Sequence, residues 1–229
     1  PILELNYSDP LFQMRFHPTK PIFFSGLGTG YIYCHSYDPK KLQTVLNQNK
    51  KTYEQSDYKG EVKLWTSVEV GSEDAKGEYD APITLLWKTK RHKGSVRSLC
   101  LDTDGSFIFS VGTDNILKKA VADSGKVVKK TTLKAQKSKI TKMIKSETHP
   151  YLLLGDEDGN VIIMNSDTLA VTNTIAKIHN SDAINDIFHF AKRSLHKFIS
   201  LGQTTLAYWD SRESNESDFE IQEDDTEAK

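Results

Sequence analysis

The sequence predicts an all-β fold of repeated four-stranded units, and three observations carry that prediction. Short apolar runs closed by glycine recur as Ile22-Phe23-Phe24-Ser25-Gly26, Phe107-Ile108-Phe109-Ser110-Val111-Gly112, Tyr151-Leu152-Leu153-Leu154-Gly155 and Phe198-Ile199-Ser200-Leu201-Gly202. The last three glycines stand 43 and 47 residues apart, and Gly26 lies 86 residues before Gly112, twice the shorter step. Each run leads through a polar turn into a second run rich in β-branched and aromatic residues. A repeat of roughly 40 to 45 residues is the period of a propeller blade.

In the first copy the glycine run continues as Gly26-Leu27-Gly28-Thr29-Gly30. It lacks the Lys-Ser/Thr of a phosphate loop and has strands on both sides, so it reads as a hairpin turn. Residues 38–82 read as an insertion. Gly60-Glu61-Val62-Lys63-Leu64-Trp65 is shaped like an inner strand, but Gln48 to Tyr58 is polar where a second-strand run belongs, and Gly71 to Gly77 reads as a flexible acidic loop. Ile83 to Lys88 then supplies the outer strand of the first unit. The second copy gives strands at Val96 to Leu101, Phe107 to Val111, Ile116 to Val121 and Lys126 to Leu133. Asp104-Gly105, Thr113-Asp114-Asn115 and Asp123-Ser124-Gly125 form its turns. The third gives Ile140 to Ile144, Tyr151 to Leu154, Val161 to Met164 and Ala170 to Ile175, with His149-Pro150 and Asp158-Gly159 as turns. The fourth gives Ile184 to Phe190, Lys197 to Leu201 and Thr205 to Trp209, with no clear outer strand before the composition turns acidic.

Composition fits this layout. A chain with 37% hydrophobic and 10% aromatic residues is too rich in core-forming side chains for disorder. No run approaches the roughly 18 to 20 apolar residues that cross a bilayer, and Pro1-Ile2-Leu3-Glu4 lacks the basic and apolar regions of a signal peptide. Membrane and secretory roles are not expected, and the chain is expected to be a piece of something longer. Cys34 and Cys100 lie in apolar runs far apart, so buried thiols are expected rather than a metal site or a disulfide framework. The domain layout expected is a partial propeller over residues 1–212, with the insertion at about 38–82, followed by an acidic tail or linker at 213–229.

Two dipeptides sharpen the fold. The fourth copy ends in Trp209-Asp210, and Arg91-His92 and Ile178-His179 stand where Gly-His is usual in one family. With the period, they make the chain resemble the WD-repeat β-propellers. The resemblance implies a WD40-type propeller, with about four blades here of a ring that usually closes with seven. His35-Ser36, Ala120-Val121 and Met164-Asn165 replace Trp-Asp in the other copies. In that family a His, a Ser and a turn Asp hydrogen-bond inside the blade. The resemblance carries this structural role to His92, Ser110 and Asp114, and places His179, Trp209 and Asp210 in the corresponding network of the fourth blade.

Two longer stretches add to this. Leu3 to Gln13 followed by Phe16-His17-Pro18, and Leu86 to Ser95, are similar to WD-repeat proteins linked to nucleolar ribosome biogenesis. That likeness implies a non-enzymatic scaffold of the nucleolus or nucleus, with pre-ribosomal particle proteins and rRNA as partners, no cofactor and no small-molecule substrate.

Catalysis needs a convergent nucleophile, base and orienting group, and no such context occurs. Among the seven histidines, His17 and His149 precede prolines, His92 and His179 fit blade positions, and His35, His189 and His196 have no metal-ligand spacing. Charge is more informative. Leu86 to Pro150 holds fifteen Lys and Arg against five Asp and Glu, whereas Asp210 to Lys229 holds nine acids against two bases. Lys88, Lys90, Arg91, Lys93 and Arg97 gather at one blade junction, and Lys129, Lys130, Lys134, Lys137, Lys139, Lys142 and Lys145 at the next. Strand alternation would send Lys137, Lys139 and Lys145 to similar exposed regions. Lys88, Lys90, Arg91, Lys93, Lys137 and Lys139 are therefore expected to contact RNA phosphates or an acidic partner. The competing readings are solvated lysines that protect sheet edges, an adaptor propeller for a ubiquitin ligase or a chromatin or transcription complex, and, from another class, a propeller enzyme.

Overall fold

A computed structural model describes residues 3–55, 66–71, 79, 81–133, 137–190 and 192–212. The strand-like Gly60 to Trp65, most of the loop after Gly71 and the acidic tail at 213–229 lie outside the described residues.

Strand β1 (Leu3–Tyr7) precedes the first blade, which opens with β2 (Leu11–Phe16), β3 (Ile22–Leu27) and β4 (Tyr31–Tyr37). Helix α1 (Pro39–Gln55) and strand β5 (Thr66–Val70) come next, before the fourth strand of that blade, β6 (Ile83–Lys90), pairs antiparallel with β4. Residues 38–82 thus sit between two neighbouring strands of one sheet. The second blade is β7 (Val96–Leu101), β8 (Phe107–Gly112), β9 (Ile116–Val121) and β10 (Val127–Thr132). The third is β11 (Ile140–Lys145), β12 (Tyr151–Asp156), β13 (Val161–Asn165) and β14 (Val171–Ile175). The fourth shows three strands among the described residues, β15 (Asp186–His189), β16 (Lys197–Leu201) and β17 (Leu206–Asp210).

Helix α1 departs from the sequence expectation, which assigned no helix to the insertion. Its start is nonetheless written locally. Asp38 Oδ1 accepts the backbone N–H groups of Lys40 and Lys41 at 3.0 and 3.1 Å, and Pro39 takes the first helical position, where its missing N–H costs nothing. No residue of α1 is buried; Leu42, Val45, Leu46 and Tyr53 nonetheless fall on one side of it, a helical spacing that the sequence expectation passed over among the polar residues around it. Strand β5 then runs parallel to β1. Val68 and Val70 join Leu3, Leu5 and Tyr7 over Leu27, Tyr33 and Ile83, so the insertion covers one face of the first blade.

Apolar alternation gives each sheet two faces to bury, and successive blades bury them against each other. Ile22, Phe24, Ile32 and Cys34 meet Val96, Leu99, Ile108 and Ala120 between blades one and two. Phe109, Val111 and Leu117 meet Ile140, Met143 and Leu154 between two and three. Leu153 and Val161 meet Ile184, Ile187, Phe198 and Trp209 between three and four. The innermost strands lie side by side in the order β2, β7, β11 and β15. Cys34 and Cys100 are free and buried within these cores, and burial pushes both thiols up to about 12. The first hairpin of each of the first three blades carries a register shift, which leaves Phe12, Arg97 and Thr141 as the extra residues. These bulges join neighbours: the Arg97 guanidinium lies 5.0 Å from the Phe12 ring centre, and Thr141 Oγ1 donates to the Ile184 carbonyl.

Candidate functional site

The strand registers align the four blades residue by residue. Phe23 faces His35, Ile108 faces Ala120, Leu152 faces Met164 and Phe198 faces Trp209. Two positions after the first member of each pair stand Ser25, Ser110, Leu154 and Ser200. The serine position is the hub of a buried polar chain in three blades.

In the second blade the structure brings His92, Ser110 and Asp114 together. His92 is 2% exposed, with Nε2 2.9 Å from Ser110 Oγ and Nδ1 3.1 Å from Asp114 Oδ1. A carboxylate only accepts, so Nδ1 carries the proton and Ser110 donates its hydroxyl hydrogen to Nε2. Asp114 also accepts from the backbone N–H groups of Lys93 and Ile116, which fixes the turn. The chain ends at Ser110 because Ala120 holds the place of the tryptophan. Trp87, from the outer strand of the first blade, instead packs against this core and donates Nε1–H to the Ala122 carbonyl at 3.0 Å.

The fourth blade has the longer chain. Trp209 Nε1–H donates to Ser200 Oγ at 3.1 Å, Ser200 bonds His179 Nε2 at 2.8 Å, and His179 Nδ1 reaches Thr205 Oγ1 at 2.6 Å. Thr205 stands where the second blade has an aspartate. Asp210 is outside this chain: it accepts from Arg212 and pairs with Lys197 at 2.8 Å, which holds its carboxyl well below the ordinary range. Sequence reasoning missed the first-blade version, in which Tyr7 OH from β1 lies 2.7 Å from Ser25 Oγ, and the third-blade Ser138–Asp156 bond of 2.7 Å. Ser25 was legible by aligning strands; Tyr7 was not, because it comes from a different sheet, and Ser138 was not, because it precedes β11 while the aligned position of its blade holds Leu154.

Replacing His92 with Ala is expected to cost about 1–3 kcal/mol, since the Ser110 hydroxyl and the Asp114 carboxylate lose their partner in a buried site. Urea titration measures it. A midpoint equal to that of the unaltered chain would show that the network contributes nothing.

The basic residues divide. Lys88, Lys90, Lys93 and Lys137 are exposed and Lys139 is half-buried. Arg91 corrects the expectation of a surface contact: it is 4% exposed, packed 6.0 Å from the Trp87 ring centre, and its Nη2 donates to the Gly125 carbonyl. It serves as a wedge between blades. Lys145 is corrected too. Its amine donates to the Ser146 and His149 carbonyls at 2.8 and 2.9 Å and pairs with Asp102 at 3.4 Å, because its strand turns it inward. Lys90, Arg91 and Lys93 line a hollow of about 550 Å³ together with Asp114, Lys118 and Lys130; Lys137 and Lys139 do not line it. A second hollow, of about 620 Å³, opens among the innermost strands beside Arg15, Asp102 and Glu147. Among the described residues no group of three or more His, Cys, Asp or Glu could hold a metal ion.

Residues 83–118, from the last strand of the first blade to the third strand of the second, match the family model of the WD domain, G-beta repeat. The whole chain is 57% identical to the WD repeat-containing protein JIP5 of Vanderwaltozyma polyspora and 53% identical to that of Eremothecium gossypii, covering 42% and 44% of their lengths. Over 94% of the chain it is 46% identical to the Saccharomyces cerevisiae protein of the same name, of which it covers 49%. The chain therefore spans less than half the length of the curated relatives it matches. Four-stranded blades of the WD type, a serine-centred buried network and these relatives together place the chain in the WD-repeat β-propeller family.

Proposed function

We propose that the chain is a non-enzymatic scaffold of the nucleolus, part of a protein that holds pre-ribosomal proteins and rRNA surfaces during ribosome assembly. A propeller presents loops and edges on a rigid frame and leaves the choice of partner to the groups displayed there. The observation that carries the reading is the cluster of exposed Lys88, Lys90 and Lys93 at one blade junction, within the stretch that resembles proteins of ribosome biogenesis. Cations of this kind suit a phosphate-rich particle, because each phosphate neutralised releases condensed counterions.

Gradient sedimentation of cell extract tests the reading. The protein is expected to co-sediment with pre-ribosomal particles. A Lys88→Gln, Lys90→Gln, Lys93→Gln variant is expected to bind about tenfold more weakly at ~150 mM salt. Co-sedimentation with a ubiquitin ligase or a chromatin complex instead, with no particle-bound fraction, would overturn it.

A further inference from the structure

We propose that the hollow lined by Lys90, Arg91, Lys93, Asp114, Lys118 and Lys130 takes a phosphate of an RNA backbone; the choice of RNA rests on the ribosomal reading above. The argument begins with strand pairing. Lys118 of β9 lies directly opposite Lys130 of β10, and Lys119 directly opposite Lys129. Alternation sends the two pairs to opposite faces of the blade. On the face toward blade three, both charges are met: Lys119 Nζ sits 4.4 Å from the Phe107 ring centre, 3.2 Å from the Ser166 carbonyl and 3.5 Å from Asp167, and Lys129 Nζ donates to the Asp167 carbonyl at 2.9 Å. Toward blade one, Lys118 Nζ donates to the Arg91 carbonyl, and the Lys118–Lys130 pair, with no carboxylate paired to it among the described residues, faces Lys90 and Lys93 across the hollow, with the Arg91 guanidinium buried beneath.

Like charges directly opposite on neighbouring strands destabilise a sheet, so this pair calls for an anion. Among the described residues the one carboxylate lining the hollow is Asp114, and its oxygens are bonded to His92 and to the backbone N–H groups of Lys93 and Ile116. Below the lysines lies a second sign of an unfilled demand. Arg91 is 4% exposed, and its Nε and Nη1 are buried with no hydrogen-bond partner. Four lysines above a buried guanidinium, against one committed carboxylate, suit a phosphate better than a single carboxylate side chain. Lysines dominate the accessible wall, and the Nη2 edge of the one arginine is spent on Gly125. Lysine ammoniums act as flexible point charges, which suit a backbone phosphate held by charge without sequence readout.

The experiment is a salt titration of binding between the full chain and a single-stranded RNA oligonucleotide. A Lys118→Gln, Lys130→Gln variant is expected to lower the log affinity versus log salt slope by about 1.4, two contacts at ~0.7 each. The charge-matched Lys40→Gln, Lys41→Gln variant on exposed α1 is expected to leave the slope unchanged. Thermal melts accompany both, and relief of the like-charge pair predicts an equal or higher midpoint for the first variant. If that variant unfolds, Lys90→Gln with Lys93→Gln replaces it, with the same slope change expected. Equal slopes in the pocket and helix variants would overturn the proposal, as would a phosphoserine peptide whose binding depends on Lys118 and Lys130 while RNA binding does not. Intact sedimentation with pre-ribosomal particles beside an unchanged slope would reject this contact alone; loss of sedimentation by the unaltered protein would reject the broader reading.

Discussion

Trp209→Ala is expected to cost about 3–5 kcal/mol, the range for removing a large buried aromatic from a packed core. Trp209 is 4% exposed and stacks on Phe198 with ring centres 4.6 Å apart and planes 17° from parallel. It also lies in the cluster that joins the third and fourth blades through Leu153, Val161 and Ile184, so the cavity would open at a blade interface as well as inside one sheet. Its indole N–H donates into the Ser200–His179–Thr205 chain. Trp209→Phe separates the two contributions: it keeps a ring against Phe198 and loses the donor, which is expected to cost about 1 kcal/mol beyond the volume change. Tyr208→Ala, at a position 60% exposed on the other face of the same strand, sets the background and should stay within about 1 kcal/mol. Urea midpoints of the three variants decide it; Trp209→Ala falling level with Tyr208→Ala would show that the indole does not hold the blades together.

The blade pattern was legible because β-strands print their period directly in the sequence, and every strand expected from Val96 to Trp209 is present within two residues at each end. The glycine alignment was less secure, for a physical reason. Gly112 and Gly202 stand one register later than Gly26 and Gly155. A Cβ at Gly112 or Gly202 would meet the ring of His92 or His179 at 2.7 Å, so these glycines make room for the histidine of their own blade. A Cβ at Gly26 would meet Val96 Cγ1 at 2.7 Å, and one at Gly155 would run into Ile184 Cγ2, so these make room for the approach of the next blade at the start of its innermost strand. Two packing demands produced one apparent motif. The strand starts, not the glycines, give the true register. The charged residues were harder still. Lys118 and Lys119 are neighbours in sequence and end on opposite faces, one at a hollow of cations and one under an aspartate, and composition cannot tell them apart. Arg91 follows the outer strand of its blade like an edge residue, yet Trp87 and Gly125 close over it.

Acidification is expected to destabilise the fold between pH 7 and pH 5 through two buried histidines. Burial lowers His35 and His92 to about 4 in the folded chain, against an ordinary value near 6.5 when unfolded. Both sites explain this structurally. Protonating His92 at Nε2 removes the acceptor for Ser110, and Asp114 offsets the added charge only in part. His35 lies between Phe23 and Tyr33, stacked at 5.3 and 6.1 Å, with Nδ1 buried and unpaired and Nε2 3.3 Å from Tyr79 OH. The sign follows from proton counting. As pH falls through 6.5 the unfolded chain takes up protons that the folded chain refuses until about 4, so stability is full above that window and declines through it. At pH 5 each histidine accounts for a loss of about 2 kcal/mol. His179 and His189 are shifted downward by burial as well and add in the same direction. Asp210 acts outside the window, because its depressed carboxyl starts to lose its contribution only as pH falls through the unfolded value near 3.8. Urea titrations at pH 7 and pH 5 measure the loss. His35→Phe preserves an aromatic ring between Phe23 and Tyr33 and cannot protonate, so its stability should fall by about 2 kcal/mol less over the same interval. An unchanged pH dependence in that variant would mean that His35 takes up its proton in the folded chain over the same pH range as in the unfolded one, and would remove it from the account.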